Sequence, residues 1–300
     1  MTERLAVVGA GLAGLVAASR LAGAGREVVV YDKSRGLGGR MATRRSAFGA
    51  FDHGAPCAHL EHSAAALFVQ RGTAASWAAG GIVGVPGMSG LVRPLADGLV
   101  IRVGTEVAGM TVATDGIRLD LPGGASEGPF ARVVVAIPAP QARRFTTHEP
   151  RADAVLADVG FAAVWTLMAA FDVRPDLRDI ERPGGALDLV VRDSAKPGRS
   201  GETWVAHAGE DWTARRLEAS REEVAPALLA EVSDLAQGRL PRPAHVDVHR
   251  WRYGRVVRPM GAPYLALADG AVLIGGDWAL GSRAEHAWLS GQAMAEAVLG

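Results

Sequence analysis

The chain has 300 residues, 49% of them hydrophobic, with 38 glycines and 16 prolines, enough apolar material for one or two packed α/β domains. Its 32 basic and 32 acidic residues cancel, so no long-range field would gather nucleic acid or an anionic membrane. One cysteine, Cys57, excludes an internal disulfide framework and a cysteine-ligated zinc site, and the expected compartment is a reducing cytoplasm. The first apolar run, 5–18, follows no charged leader, is too short to span a bilayer and is broken by glycines.

In chain order, Arg4–Val8 reads as a short apolar strand, followed by Gly9-Ala10-Gly11-Leu12-Ala13-Gly14 and an alanine-rich helix that Gly25 ends. This is a GxGxxG spacing between strand and helix. Gly9 permits the tight turn, Gly11 lets a pyrophosphate approach the backbone, and Gly14 lets helix and strand pack closely. The helix start supplies free N–H groups and a positive dipole end. A second strand, 27–31, ends at Asp32, an acid placed about 20 residues past the glycines to accept hydrogen bonds from adenosine ribose hydroxyls. An acid capping a strand after an ordinary glycine turn is the plainer alternative.

The stretch after Asp32, "KSRGLGGRMATRR", brings a glycine pair followed by three arginines. Gly39 offers a second backbone approach to an extended dinucleotide, and Arg40 a guanidinium fork for its phosphates, with Arg44 and Arg45 behind it. For Arg44 and Arg45 a solvated basic loop explains the pattern equally well.

With GxGxxG, a strand-end acid and a GGR doublet in succession, the chain resembles flavoproteins that bind FAD. It is more closely similar to renalase-like FAD oxidoreductases of the amine-oxidase superfamily, through "YDKSRGLGGRMATRR", "FDHGA", "VGVPGM", "VVVAIPAPQA", "DSAKPGR", "ETWVAHA", "HRWRYG" and "GGDW…AWLSG". The resemblance covers nearly the whole chain. It implies an α/β fold in which a Rossmann-type FAD-binding domain, a doubly wound parallel sheet, carries an inserted antiparallel-sheet substrate domain, as in amine oxidases and p-hydroxybenzoate hydroxylase. The FAD-binding domain is then expected over 1–55, 87–145 and 262–300, and the substrate domain over 56–86 and 146–261.

The same resemblance places the backbone at Val107 against adenine and the turn at Pro138 near the dinucleotide. It adds Ala13, Lys33, Met41 and Ala287 to the cofactor's surroundings. Gly276 and Asp277 follow a buried strand at 271–274 and precede a helix over 284–299. Asp277 is expected to accept hydrogen bonds from the ribityl chain or relay them to a phosphate, and the helix to aim its dipole at the flavin N1–C2 region. Asp52-His53-Gly54-Ala55 resembles the segment beside the isoalloxazine ring. There Gly54 allows backbone contact, and His53 lies by the flavin or satisfies a carbonyl in the core. Covalent attachment through His53 or Cys57 is chemically open, and nothing requires it.

The residue pattern agrees with an inserted sheet. Segments 99–103, 106–112 and 117–121 alternate around turns as a small meander would, and 132–137 is a continuous apolar strand stopped by Pro138. Four further strands are expected at 163–173, 186–193, 202–208 and 246–253, with an amphipathic helix over 221–237 between the last two. Trp165, Trp204, Trp251 and Tyr253 line a flat pocket or fill a core. Lys196 and Arg199 hold a substrate phosphate or decorate a tight turn. No acid–base residue is identified outright: His53, His286, Trp251 and Tyr253 are the catalytic candidates. No histidine spacing suits a metal.

The single GxGxxG argues against paired FAD and NADPH Rossmann halves. The resemblance implies hydride transfer from a small cyclic donor to flavin N5 and electron transfer to molecular oxygen, giving hydrogen peroxide. The implied donors are dihydronicotinamide, NAD(P)H-like, isomers. An amine or cyclic-imine oxidase, or a flavin-binding protein without turnover, are the alternatives. No nucleic-acid or membrane partner is expected. Three departures stand out: 56–84 looks shorter than in the family and lacks its aromatic stretch, His286 replaces glycine, and Asp32 replaces glutamate.

Overall fold

Valine, with leucine and alanine, fills the short strands that begin the chain, and the resulting parallel sheet is buried as such runs require. The computed structural model describes residues 3–78 and 80–300; Met1, Thr2 and Ala79, the last within the 56–84 segment, lie outside them. The chain divides into two compact units, Met1–Gly39 with Val92–Gly160 and Val256–Gly300, and Arg40–Leu91 with Phe161–Arg255. Residues 40–55 and 87–91 thus group with the second unit, and 146–160 and 256–261 with the first, which differs from the boundaries expected above.

In the first unit a six-stranded sheet runs in the order 264–267, 272–275, 132–135, 4–8, 27–32, 100–103. All neighbours are parallel except Tyr264–Leu267, which pairs antiparallel with Val272–Gly275. The helix Leu12–Gly23 crosses between the Arg4–Val8 and Glu27–Asp32 strands, burying Leu15, Val16 and Leu21. The helix Ala284–Leu299 packs on it so closely that a Cβ on Gly291 would collide with the Ala13 carbonyl oxygen. This is an α/β architecture with a largely parallel sheet, as the sequence indicates.

Two details correct the meander. Val100–Val103 is the last strand of the parallel sheet, in register with Val29–Asp32, and it leaves Val100 57% and Val103 45% exposed because it is an edge. The antiparallel meander is Gly109–Ala113, Gly116–Asp120 and Ser126–Phe130. Its third strand contains Pro129 and shifts register between Glu127 and Phe130, the irregularity that hides such a strand from pattern reading.

The second unit is built on an antiparallel sheet in the order 180–181, 187–192, 203–208, 160–171, 243–258. Four of its strands match those expected. One face carries Trp165, Leu167, Ala169, Trp204, Ala206 and Val248 against Val224, Leu228 and Val232 of the helix Arg221–Leu235. Ser220 starts that helix with a reciprocal cap to Glu223. The opposite face presents Met168, Ala170 and Val205 to Phe51 of the hairpin Arg44–Ser46/Gly49–Phe51. The 56–84 stretch holds the helix His62–Gln70 and the hairpin Ala74–Ser76/Ile82–Gly84.

Gly14 and Gly23 sit in one helix with opposite surroundings. A Cβ on Gly14 would overlap the Gly9 carbonyl oxygen, whereas one on Gly23 meets nothing within 4 Å. Gly23→Ala is therefore expected to stabilise by up to about 1 kcal/mol. Gly14→Ala is expected to destabilise by several times that amount, with chemical denaturation of the two variants as the check.

Candidate functional site

The carboxyl ends of the parallel strands gather the first group of candidates on one edge of the first unit. The Gly9 N–H donates to the Tyr31 carbonyl at 2.7 Å, and Gly9 takes φ +109°, a conformation open to glycine. A Cβ there would stand 2.5 Å from the Ala136 oxygen. Gly11 differs, for its Cβ position faces open space. No side chain caps the helix that Gly11 opens, so the first-turn N–H groups keep their capacity for an anion.

Gly38 donates to the Ala10 carbonyl at 2.8 Å, and a Cβ on Gly39 (φ +54°) would lie 3.7 Å from Gly11 Cα. The two glycine stretches are therefore neighbours. Asp32 accepts from the Ala10 N–H at 2.6 Å and the Ser34 N–H at 2.7 Å, so its carboxylate braces the glycine loop itself. Thr105 donates to the Asp32 carbonyl at 2.9 Å, which brings in the turn before buried Val107. Pro138 opens the short helix Ala139–Ala142. Trp278 Nε1 donates to the Ile137 carbonyl at 2.9 Å, joining that turn to the 275–278 turn. Gly276 has φ +151° and its N–H reaches Ser290 Oγ at 2.9 Å, with Asp277 next to it and largely buried. Ala13 and Ala287 lie buried in their helices, and Lys33 is exposed.

An extended dinucleotide fits this edge. Its demands are an uncapped helix start, a glycine with an open Cβ side and an acid held at a strand end, and all three lie within Gly9–Gly39. His286 stands apart from them: its Nδ1 faces the Arg283 N–H at 3.4 Å and its ring fills the space that a Cβ on Gly281 would need. It closes the first turn of its helix.

The second group of candidates belongs to the second unit. Arg40 Nη1 reaches the Gly254 carbonyl at 3.4 Å, and Met41 is buried. Gly54 is glycine because a Cβ would run into the Arg40 carbonyl, to which Ala55 donates at 2.8 Å. His53 is 5% exposed and stacks on Trp251 with centroids 5.1 Å apart and planes at 28°. His249 meets both rings edge-on, at 5.0 Å and 4.3 Å. Trp251 Nε1 donates to the His53 carbonyl at 2.8 Å. Tyr253 packs instead against Phe161, and Trp165 and Trp204 are core residues whose indole N–H groups bind the Arg216 carbonyl and Glu202.

Arg44 pairs with Asp247, which also takes Arg221, while Arg45 is exposed. Lys196 and Arg199 neither hold a free anion site nor decorate a surface turn. Both are fully enclosed: Lys196 Nζ lies 2.5 Å from Asp193 and 3.2 Å from Asp52, and Arg199 pairs with Asp52. Burial works to raise the Asp52 carboxyl, but Lys196 and Arg199 outweigh it and hold the group below the ordinary carboxylate range. For Asp193 burial prevails and pushes the group up. The pairing was not readable from spacing, since Asp52 and Lys196 are 144 residues apart.

Three histidines of this unit are neutral near pH 7. Burial, then His249 and Arg44, lower His53 to about 4; burial, then Arg44 and Arg221, do the same for His249. His207, whose Nε2 is enclosed and without a hydrogen-bond partner, is lowered to about 4 by burial, then Lys196 and Arg255. Their folded pKa values lie below the unfolded value near 6.5, so the unfolded chain binds more protons in between. Stability is thus expected to be fullest above pH 6.5 and to be lost as pH falls toward 4, with urea midpoints across that window as the measure. In a His207→Gln variant the slope of that loss is expected to be shallower.

Over residues 46–299 the chain matches the family described as flavin containing amine oxidoreductase, and over 7–71 the NAD(P)-binding Rossmann-like domain. It is similar to the crystal structure of cyclohexylamine oxidase from Brevibacterium oxydans IH-35A, at 13% identity and a TM-score of 0.74 over 99% of each chain. It is also similar to an oxidoreductase from Methanosarcina mazei (12% identity, TM-score 0.68, 98% of this chain and 100% of that one). A putrescine oxidase redesigned in its cofactor binding has 14% identity and a TM-score of 0.71 over 99% of each chain. At such identities the likeness is one of fold. The family match, which spans most of the sequence, carries the assignment: the chain belongs to the flavin-containing amine oxidoreductases and is an FAD-dependent oxidoreductase.

Proposed function

We propose that this enzyme oxidises a small, uncharged, conjugated ring, in the manner of renalase-like oxidation of dihydronicotinamide isomers. The observation that carries the reading is the chemistry of the His53–His249–Trp251 cluster. Its imidazoles are neutral, His53 stacks on Trp251, and His249 meets both rings edge-on. The carboxylates of the surrounding elements are already paired: Asp247 with Arg44 and Arg221, Asp188 with Arg255, Asp52 and Asp193 with Lys196 and Arg199. Among the described residues an ammonium group would find no free anion there, whereas a neutral planar donor would meet aromatic rings.

FAD, when bound, would supply the electron sink for hydride from the donor, with oxygen and a proton as the route back to the oxidised flavin and hydrogen peroxide as the product. The remaining work is the chain's own. In the first unit, the Leu12–Gly23 helix start and Gly11 are to hold the pyrophosphate, Asp32 the ribose, Val107 the adenine side and Gly276–Asp277 the far end. Lys33, Gly39, Pro138, Ala13 and Ala287 complete that reading, and Arg40, Met41, His53 and Gly54 are carried in the second unit. A dihydropyridine nitrogen drives hydride loss by itself, so neutral His53 and His249 orient the ring rather than remove a proton. The two units are read as the FAD-binding and substrate domains.

A second reading, oxidation of a small amine or cyclic imine, is favoured by the family itself and by the substrates in the names of the similar oxidases. An anaerobic screen separates the two. Dihydronicotinamide isomers are expected to bleach the flavin absorbance and amines to leave it; bleaching by amines alone would install the second reading, and no bleaching at all would leave a flavin carrier.

The pyrophosphate cradle has its own test. Gly11→Val introduces a side chain into open space, so the apoprotein is expected to unfold at the wild-type denaturant concentration. The same variant is expected to purify with little or no FAD, measured as the ratio of flavin to protein absorbance.

A further inference from the structure

The enclosed charges around Asp52 hold more than each other. Asp52 Oδ1 accepts from Thr43 Oγ1 at 2.8 Å and from the Met88 N–H at 2.9 Å, and Oδ2 takes Lys196 and Arg199. The Asp52 N–H in turn donates to Asp193 Oδ2 at 2.9 Å, while Asp193 Oδ1 faces Lys196. One residue further, the His53 carbonyl is held by Trp251 Nε1. The backbone that carries His53 is therefore fastened on both sides, and the ring is packed between Trp251 and His249.

Neutralising Asp52 does not by itself require Lys196, because Arg199 already sits on the same oxygen. Lys196 compensates Asp193, and Asp193 fixes the backbone before His53. A buried set of charges contributes little net stability compared with apolar residues of similar volume, so its value lies in the geometry it imposes. We infer that Asp193 and Lys196 are positioning residues for His53, acting through Asp52, and that ligand binding at the His53–His249–Trp251 cluster depends on the geometry they hold. This rests on the reading of that cluster as the donor surface.

The test uses the holoenzyme, with long-range nitrogen–proton spectra of the histidine rings and NAD⁺, the oxidised nicotinamide, as the probe. Asp193→Asn keeps an oxygen for the Asp52 N–H and is expected to lose markedly less than Asp193→Ala. Asp193→Ala/Lys196→Met removes one charge of each sign, leaving the Asp52–Arg199 pair. It is expected to retain its FAD, displace or split the His53 signals, and weaken NAD⁺ binding about tenfold, with the donor KM raised in proportion.

If the double variant does not fold, the single Asp193→Ala against Asp193→Asn carries the comparison. Unmoved His53 signals with wild-type NAD⁺ affinity would overturn the positioning role. So would equal losses in Asp193→Asn and Asp193→Ala that track their melting temperatures. NAD⁺ that moves none of the three histidines in the wild type would overturn the donor surface and the dependence built on it together.

Discussion

The distance between the first helix and the first strand is set by hydrogen atoms where side chains would otherwise be. Gly14 lies against the Gly9 carbonyl, and Gly9 against Ala136, so helix, turn and neighbouring strand end close on one another without a Cβ between them. Open the helix away from the strand and the row of unpaired N–H groups no longer faces the strand ends. The acid at Asp32 takes part in the same closure, since it grips Ala10. Packing and the shape of the strand-end edge are in this place one property.

The second unit solves a different problem, that of holding polar atoms in an interior. Its sheet gives one face to a conventional apolar core under the Arg221–Leu235 helix and the other to histidines, tryptophan and paired charges. On that second face every formal charge has a counterpart, and the imidazoles stay neutral through burial. The result is an interior face with directional hydrogen-bonding atoms and its charges held in pairs.

What could be read without coordinates follows from the range of each interaction. The GxGxxG turn, Asp32, the four strands of the second sheet and both long helices are local patterns, visible within 10 to 20 residues, and their places agree with the structure. Val100–Val103 was legible as a strand but not as a member of the parallel sheet, because alternation says nothing of the partner. Ser126–Phe130 was hidden by Pro129. The Asp52–Lys196–Asp193–Arg199 set joins residues more than a hundred positions apart, and Arg44 finds Asp247 across a similar gap. Lys196 and Arg199 were visible as residues of interest, but burial is what separates a charge that binds a ligand from one that fastens a loop.

The contact between Gly291 and Ala13 has a bearing on how the chain comes to be folded at all. The glycine turn and the helix that seals its back lie some 270 residues apart in the chain. Without that helix the βαβ unit keeps an uncovered apolar flank. Burial of that flank is therefore a long-range closing step, later than the local contacts of the βαβ unit.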